Sequence, residues 1–279
     1  MPTTNIQEEF LSLTNFQLAW ERVLRSSHIE NKDRIALRVF ASNVDFYLRL
    51  LIEEIRSNTY IPMQAHKLYL PKTSRTLRTI PVLSIRDRIV YQAIGNIIIQ
   101  EAIPYLSILG DRHIFAHLPQ PKDSLFPLKP WIDQFSGFSQ KYEEMWKQGN
   151  RWVVEADISA FYSSIDHQLL TDLIRQRWVS DENLLALLNT CLTKWSPHEK
   201  GPELHSGLPQ GYETSDLLST LFLLPIDEKM VVGYRYLRYV DDIRILTPDQ
   251  NTASKGLVSL DLALQARALV LQTKKNSYS

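Results

Sequence analysis

Cysteine is almost missing from this chain: Cys191 stands alone among 279 residues. A single cysteine excludes an internal disulfide framework and fits a reducing compartment. Glycine is sparse, with nine residues, and no low-complexity tract or internal repeat is visible. Disordered, fibrous and repeat architectures are therefore excluded. No phosphate-cradling glycine-rich loop and no Ser/His/Asp arrangement is evident. Long apolar runs are absent as well. Ile97-Ile98-Ile99 and the segment from Leu217 to Leu224 are too short, or too polar at their edges, to span a bilayer. The opening MPTTNIQEEF carries acids and no apolar core, so a signal peptide is not expected, and a cytoplasmic protein without a membrane partner is. Charge of one sign is also lacking: 31 basic residues balance 31 acidic ones. That removes a global case for nucleic-acid binding and leaves only a local one.

What is present suffices for a folded core, with 44% hydrophobic and 10% aromatic residues. The length allows one large domain or two ordinary ones. Apolar spacing predicts a helix over 5–27 and another from about Asp33, its N-cap, to Arg56. Lys67 to Pro81 reads as a β-hairpin turning near Thr73-Ser74-Arg75. A helix opened by Ser84 should stop near Pro104. Residues 110–130, with four prolines, read as a surface excursion, and an amphipathic helix follows over 131–148. Beyond about residue 150 the expected order is strand 152–158, helices 167–178 and 181–194, and a polar loop 196–206. A helix over 213–230, a hairpin from Tyr234 to Leu246, a helix over 252–268 and a short apolar strand complete it. This order predicts an α+β domain, an antiparallel sheet backed by helices.

Charge gathers locally. Lys67, Lys72, Arg75, Arg78, Arg86 and Arg88 stand against Asp87 alone. Alternation with Leu68, Leu70, Leu77 and Ile80 would place several of these cations on one face of the hairpin. Three acids stand out: Asp157 at the end of a buried strand, and the adjacent Asp241 and Asp242 at a hairpin turn. Neighbouring carboxylates repel, and a cation relieves the repulsion, although an acidic pair also fits a solvated turn. Converging on one sheet, the three would make an all-oxygen site suited to Mg²⁺ and to displacement at phosphorus. His198, Glu199, Glu203 and His205 have loose ligand-like spacing, but a polar loop accounts for them better. Cys191 reads as core.

The wording of these segments resembles the reverse transcriptases, RNA-directed DNA polymerases of the right-hand type. Asp157-Ile158-Ser159-Ala160-Phe161-Tyr162 with Ser164-Ile165-Asp166-His167 resembles the family's first acidic motif. Gly207-Leu208-Pro209-Gln210-Gly211 with Ser215 resembles its positioning motif, and Tyr239-Val240-Asp241-Asp242 its acidic turn. Leu70-Pro71-Lys72, Arg78-Thr79-Ile80-Pro81 and Asp87-Arg88-Ile89-Val90 resemble fingers motifs. Five motifs in the right order are far more specific than any one of them. The wording is most similar to the bacterial abortive-infection and defence-associated members, then to retron and group II intron types.

The resemblance implies a fingers region over 1–149 and a palm over 150–279, with 180–206 as a fingers-side insertion. No thumb is visible, which implies a truncated chain, a partner chain or a reduced member. Asp157, Asp241 and Asp242 would hold two Mg²⁺ ions, with Mn²⁺ as a substitute, and Asp242 would chiefly shape the local field. Tyr162 would lie under the sugar of an incoming dNTP and exclude a 2′-OH. Lys72 and Arg78 would meet the triphosphate, and Gln210 the nucleotide or template. Lys67, Arg75, Arg88, Gly211 and Ser215 would contact nucleic acid, and Lys275 would protonate departing pyrophosphate. Implied partners are an RNA template, a DNA or RNA primer, dNTPs, and a structured non-coding RNA or partner protein. The competing expectation is a non-catalytic subunit that keeps the fold and binds nucleic acid.

Overall fold

The computed structural model describes residues 6–26, 34–71, 77–196 and 204–273. The N-terminal third is helical: α1 (Ile6–Phe10), α2 (Leu13–Arg25), α3 (Arg34–Ser42) and α4 (Val44–Arg56). Where apolar spacing predicts one helix over 5–27 there are two. The Ser12 side chain accepts from the Asn15 amide and starts α2 afresh. Asn43, with φ −154°, likewise divides the second predicted helix, and its expected cap Asp33 lies outside the described residues.

Strands β1 (His66–Pro71) and β2 (Leu77–Val82) pair antiparallel as the expected hairpin. Helix α5 (Ile85–Leu109) follows, its Ser84 cap accepting from the Asp87 amide. It does not stop at Pro104. That proline is exposed, so the carbonyl it frees can be hydrated, while Ala102, Leu106 and Leu109 keep the buried face going. Residues 110–130 are the expected surface excursion only in part: 121–123, Leu125 and Phe126 are exposed. Ile114, Phe115, Ala116 and Leu118 are buried, and Ile114 bridges to Arg238. The prolines suggested an external loop, but the apolar residues ahead of Pro119 dock the start of the segment against the sheet.

Helix α6 (Trp131–Lys147) leads to β3 (Trp152–Ile158), α7 (Phe161–Ser164), α8 (His167–Arg177) and α9 (Glu182–Trp195). Then come α10 (Glu213–Gly233), β4 (Arg235–Tyr239), β5 (Asp242–Thr247), α11 (Gln250–Gln265) and β6 (Leu271–Thr273). The last four strands form one antiparallel sheet in the order β4-β5-β3-β6. Val154, Ala156 and Ile158 of β3, with Tyr236, Ile243 and Ile245, are buried in the main core that includes α10 and α11. Alternation sends Glu155 and Asp157 to the opposite face, which α6 covers in part through Phe138, Met145 and Tyr142. The fold is the α+β arrangement that the order of elements predicts. Among the described residues no helix is long and apolar enough to cross a membrane.

Candidate active site

Asp157 is the penultimate residue of β3, paired across from Gln272 of β6. Its Oδ1 accepts from the Ile158 amide at 3.1 Å. The chain then bends sharply at Ala160, which adopts the left-handed φ of 49°, and enters α7. A non-glycine residue there carries strain, and the bend brings Tyr162 to the space that Asp157 lines.

The acidic turn is built with more force. Tyr239 pairs with Asp242, leaving Val240 and Asp241 as a two-residue turn. Val240 has φ 56°. Positive φ at the first turn position is the type II′ pattern, where glycine is usual and a β-branched residue is costly. A buried guanidinium offsets that cost. Arg238 Nη1 donates to the Val240 carbonyl at 2.9 Å, while Nε and Nη2 donate to both Asp227 oxygens at 2.7 and 2.6 Å. Tyr236 donates its hydroxyl to Asp227 as well, at 2.7 Å. On the outer edge the Arg238 amide donates to the His113 carbonyl, and its carbonyl accepts from the Phe115 amide. The docked 110–130 loop is thus the turn's second brace.

Gln210 sits on a loop framed by two glycines in left-handed conformation, Gly207 (φ 101°) and Gly211 (φ 91°). A side chain at Gly207 would meet nothing closer than 3.5 Å, so its conformation, not crowding, calls for glycine. The Gly207 carbonyl accepts from His167 Nε2 at 2.7 Å and Ser196 Oγ at 2.9 Å. His167 therefore carries its proton on Nε2, and burial holds it below its ordinary range. The Leu208 amide donates to the Tyr162 carbonyl at 2.8 Å, joining this loop to the Asp157 bend. Ser215 Oγ donates to the Pro209 carbonyl at 2.6 Å and meets the Tyr91 hydroxyl at 2.8 Å.

These pieces enclose a cleft of about 520 Å³. Asp157, Asp241, Tyr162, Gln210, Arg78 and Lys67 all line it. Six residues expected to act together therefore do share one space. Asp242 is directed elsewhere, with an oxygen 3.7 Å from Arg244 Nη2. Arg244 also lies 3.8 Å from Glu155 and stacks over the Tyr142 and Phe138 rings of α6. Among the described residues, no group of three or more His, Cys, Asp or Glu side chains is gathered tightly enough to hold a metal.

Other expected contacts also lie elsewhere. Arg88 is buried in α5 and donates to the Val23 carbonyl, because helical winding turns it inward from the hairpin's basic face. Ser215 is fully buried and acts on the Gln210 loop from behind. Gly211 frames that loop. Lys67 Nζ donates to the Trp195 carbonyl at 2.7 Å, at the C-terminus of α9. Lys72, Arg75 and Lys275 lie outside the described residues, as do His198, Glu199 and Glu203. His205 uses its carbonyl to hold the His167 amide, and Cys191 is buried. Sequence reasoning missed the Arg238–Asp227 brace, the His167–Ser196 pair on Gly207 and the cleft residue Gln272. Arg238 stands just ahead of Tyr239-Val240 and the acidic pair, and an arginine inside an apolar strand was the available signal.

A four-stranded antiparallel sheet that presents acids to a cleft between helices and a basic hairpin defines the palm of a right-hand nucleic-acid polymerase. The chain belongs to the reverse transcriptase (RNA-dependent DNA polymerase) family, which matches residues 70–279. Protein YkfC of Escherichia coli (strain K12) is 25% identical over 217 residues, covering 75% of this chain and 52% of YkfC. The group II intron-encoded protein LtrA of Lactococcus lactis subsp. cremoris is 26% identical over 187 residues, covering 65% of this chain and 28% of LtrA. The chain thus spans about half of one curated relative and less of the other. Telomerase from Candida albicans, solved with a fragment of telomeric RNA, superposes with a TM-score of 0.53 at 10% identity. That match covers 78% of this chain and 44% of the telomerase. Apo telomerase from Candida tropicalis gives 0.50 at 13% identity, covering 77% and 51%. These two likenesses concern the fold alone.

Proposed function

We propose that the cleft transfers deoxynucleotides from dNTPs to a primer 3′-OH along an RNA template. The observation that carries this reading is the shared cleft, where Asp157 of β3 and Asp241 of the β4–β5 turn meet Arg78, Tyr162 and Gln210. Among the described residues lining it there is no His or Cys, and the groups able to ligate a metal are carboxylate, hydroxyl, amide and backbone oxygens. Such a donor set fits Mg²⁺, with Mn²⁺ as a substitute. Asp157 and Asp241 would hold two ions, and Asp242, facing Arg244, would tune the field behind them. Bound there, the ions would supply charge stabilisation to the attacking and leaving oxygens. Arg78 offers a forked cation to triphosphate oxygens. Tyr162 forms the surface beneath the sugar, and Gln210 presents an amide to the base or template. Residues 1–149 would serve as fingers and 150–279 as palm, with 180–206 inserted on the fingers side. A structured RNA or partner protein would help grip the duplex, and the motif wording favours a role in antiphage defence.

Purified protein should extend a primer on an RNA template with labelled dNTPs and Mg²⁺. Asp241→Asn should lower incorporation about 10²-fold or more, as expected when charge aimed at the transition state is lost. Full activity in that variant overturns the proposal. The engagement of Asp242 by Arg244 favours a second reading, a non-catalytic subunit that only binds nucleic acid. It expects salt-sensitive RNA binding and no incorporation by the unsubstituted protein, even with partner proteins present.

A further inference from the structure

Tyr162 stands on α7, a helix of four residues that follows the strained bend at Ala160. So short a helix does little by itself to fix a side chain. The ring meets Phe161 edge-on, with centroids 5.6 Å apart. Its far end is held from another element. The hydroxyl donates to Asp216 Oδ1 of α10 at 2.6 Å. Ser219 Oγ lies 3.5 Å from the same hydroxyl, but it donates to the Asp216 carbonyl at the better distance of 2.8 Å. The other Asp216 oxygen lies 3.9 Å from His117 Nε2, on the docked 110–130 loop. The carboxylate is therefore oriented between a tyrosine and a histidine, on a helix whose neighbouring Leu217 and Leu218 are buried.

We propose that Asp216 is the positioning residue that locks the Tyr162 ring in the cleft and so sets its preference for deoxyribonucleotides over ribonucleotides. This rests on the reading of Tyr162 as the surface beneath the incoming sugar. A bulky ring excludes a 2′-OH only while it keeps one rotamer. A tyrosine without a fixed hydroxyl can move among staggered wells, and each excursion leaves room for the extra oxygen. The charge-assisted bond to Asp216 removes that freedom. The same helix start carries Ser215, which holds the Gln210 loop at Pro209. One rigid helix thus sets two walls of the nucleotide slot, and Gln210 and Tyr162 keep a fixed separation.

The test is the ratio of kcat/KM for a dNTP to that for the matching rNTP, on one primer and RNA template. Asp216→Ala should lower the ratio about tenfold, the factor expected from one lost charge-assisted hydrogen bond. Asp216→Asn keeps an acceptor oxygen and should restore most of it, which a merely structural defect would not. Tyr162→Phe removes the hydroxyl without touching α10. It should reproduce the loss even if Asp216→Ala fails to fold, and combining it with Asp216→Asn should add nothing. An unchanged ratio in both Asp216→Ala and Tyr162→Phe, with a lowered ratio in Tyr162→Ala, overturns the role of Asp216 and leaves the polymerase reading standing. An unchanged ratio in Tyr162→Ala overturns the role of the ring and of Asp216 together. No incorporation by the unsubstituted protein overturns the polymerase reading and this inference with it.

Discussion

The acidic turn and the basic hairpin line the same cleft, and they are held by opposite means. Arg238 ties the turn from inside the core, with both partners of its ion pair buried. The docked 110–130 loop ties it again from outside. Strand β1 is largely exposed, β2 is exposed at Leu77 and Arg78, and Lys67 fastens the hairpin at the end of α9. Carboxylates that must converge on a cation cannot drift, because electrostatic stabilisation depends on fixed positions. Cations that meet a triphosphate can arrive with the ligand. One side of the cleft is over-determined and strained, and the other is tethered at a few points.

The sharpest way to break this contrast is to remove the buried brace. Arg238→Ala leaves Asp227 charged and enclosed, so it should cost about 3–5 kcal/mol in a urea denaturation. Replacing both partners with apolar residues, Asp227→Leu with Arg238→Met, should recover most of the stability. It should not recover activity, because the Val240 carbonyl would still lack its donor. A loss below about 1 kcal/mol in Arg238→Ala would show that the pair does not brace the turn.

Much of this architecture was legible in the chain. Alternating apolar residues around Asp157 and around Asp241-Asp242 define strands, and strands in one sheet bring distant acids to one cleft. What was not legible depended on single capping or docking contacts. Ser12 and Asn43 each divide a helix that apolar spacing alone would run on. Pro104 ends a helix only if its freed carbonyl lacks solvent, which the sequence does not reveal. Arg88 lies within the basic stretch, yet its position on α5 decides that it points into the core. Asp242 looks identical to Asp241 until Arg244, two residues on and on the same strand face, is seen to engage it. Local pattern specifies elements. Which face of an element meets the cleft is settled by packing.

At the start of α10 lies a half-buried acid less well matched than Asp227. Burial, with Asp216 adding to it, raises Glu213 to about 7, and Arg22 and Arg88 only partly pull it back. The folded state then binds a proton that the unfolded chain releases. That contribution is complete below about pH 4.5 and is lost as pH rises to about 7. Stability should therefore fall by about 2 kcal/mol between pH 5 and 8, after allowance for partial exposure. Glu213→Gln, which mimics the protonated acid, should remove that slope, as read from denaturation midpoints at the two pH values. A slope that persists would place the titrating group elsewhere.

The hairpin should respond least in stability and most in a different observable. An ammonium on helix C-terminal carbonyls contributes about 0.3–1 kcal/mol, so Lys67→Met should cost no more than about 1 kcal/mol. Its partner in that position also decides how the variant binds nucleic acid. A lysine occupied by α9 releases no phosphate counterion, so the slope of log K against log salt should stay the same in Lys67→Met. Arg78 is exposed and lines the cleft, and because it would meet the triphosphate and not the duplex, Arg78→Met should leave that slope unchanged too and instead raise the KM for dNTPs about tenfold. If Lys67→Met lowers the slope, the lysine leaves α9 when nucleic acid binds, and one anchor of the hairpin is then a contact that the ligand itself displaces.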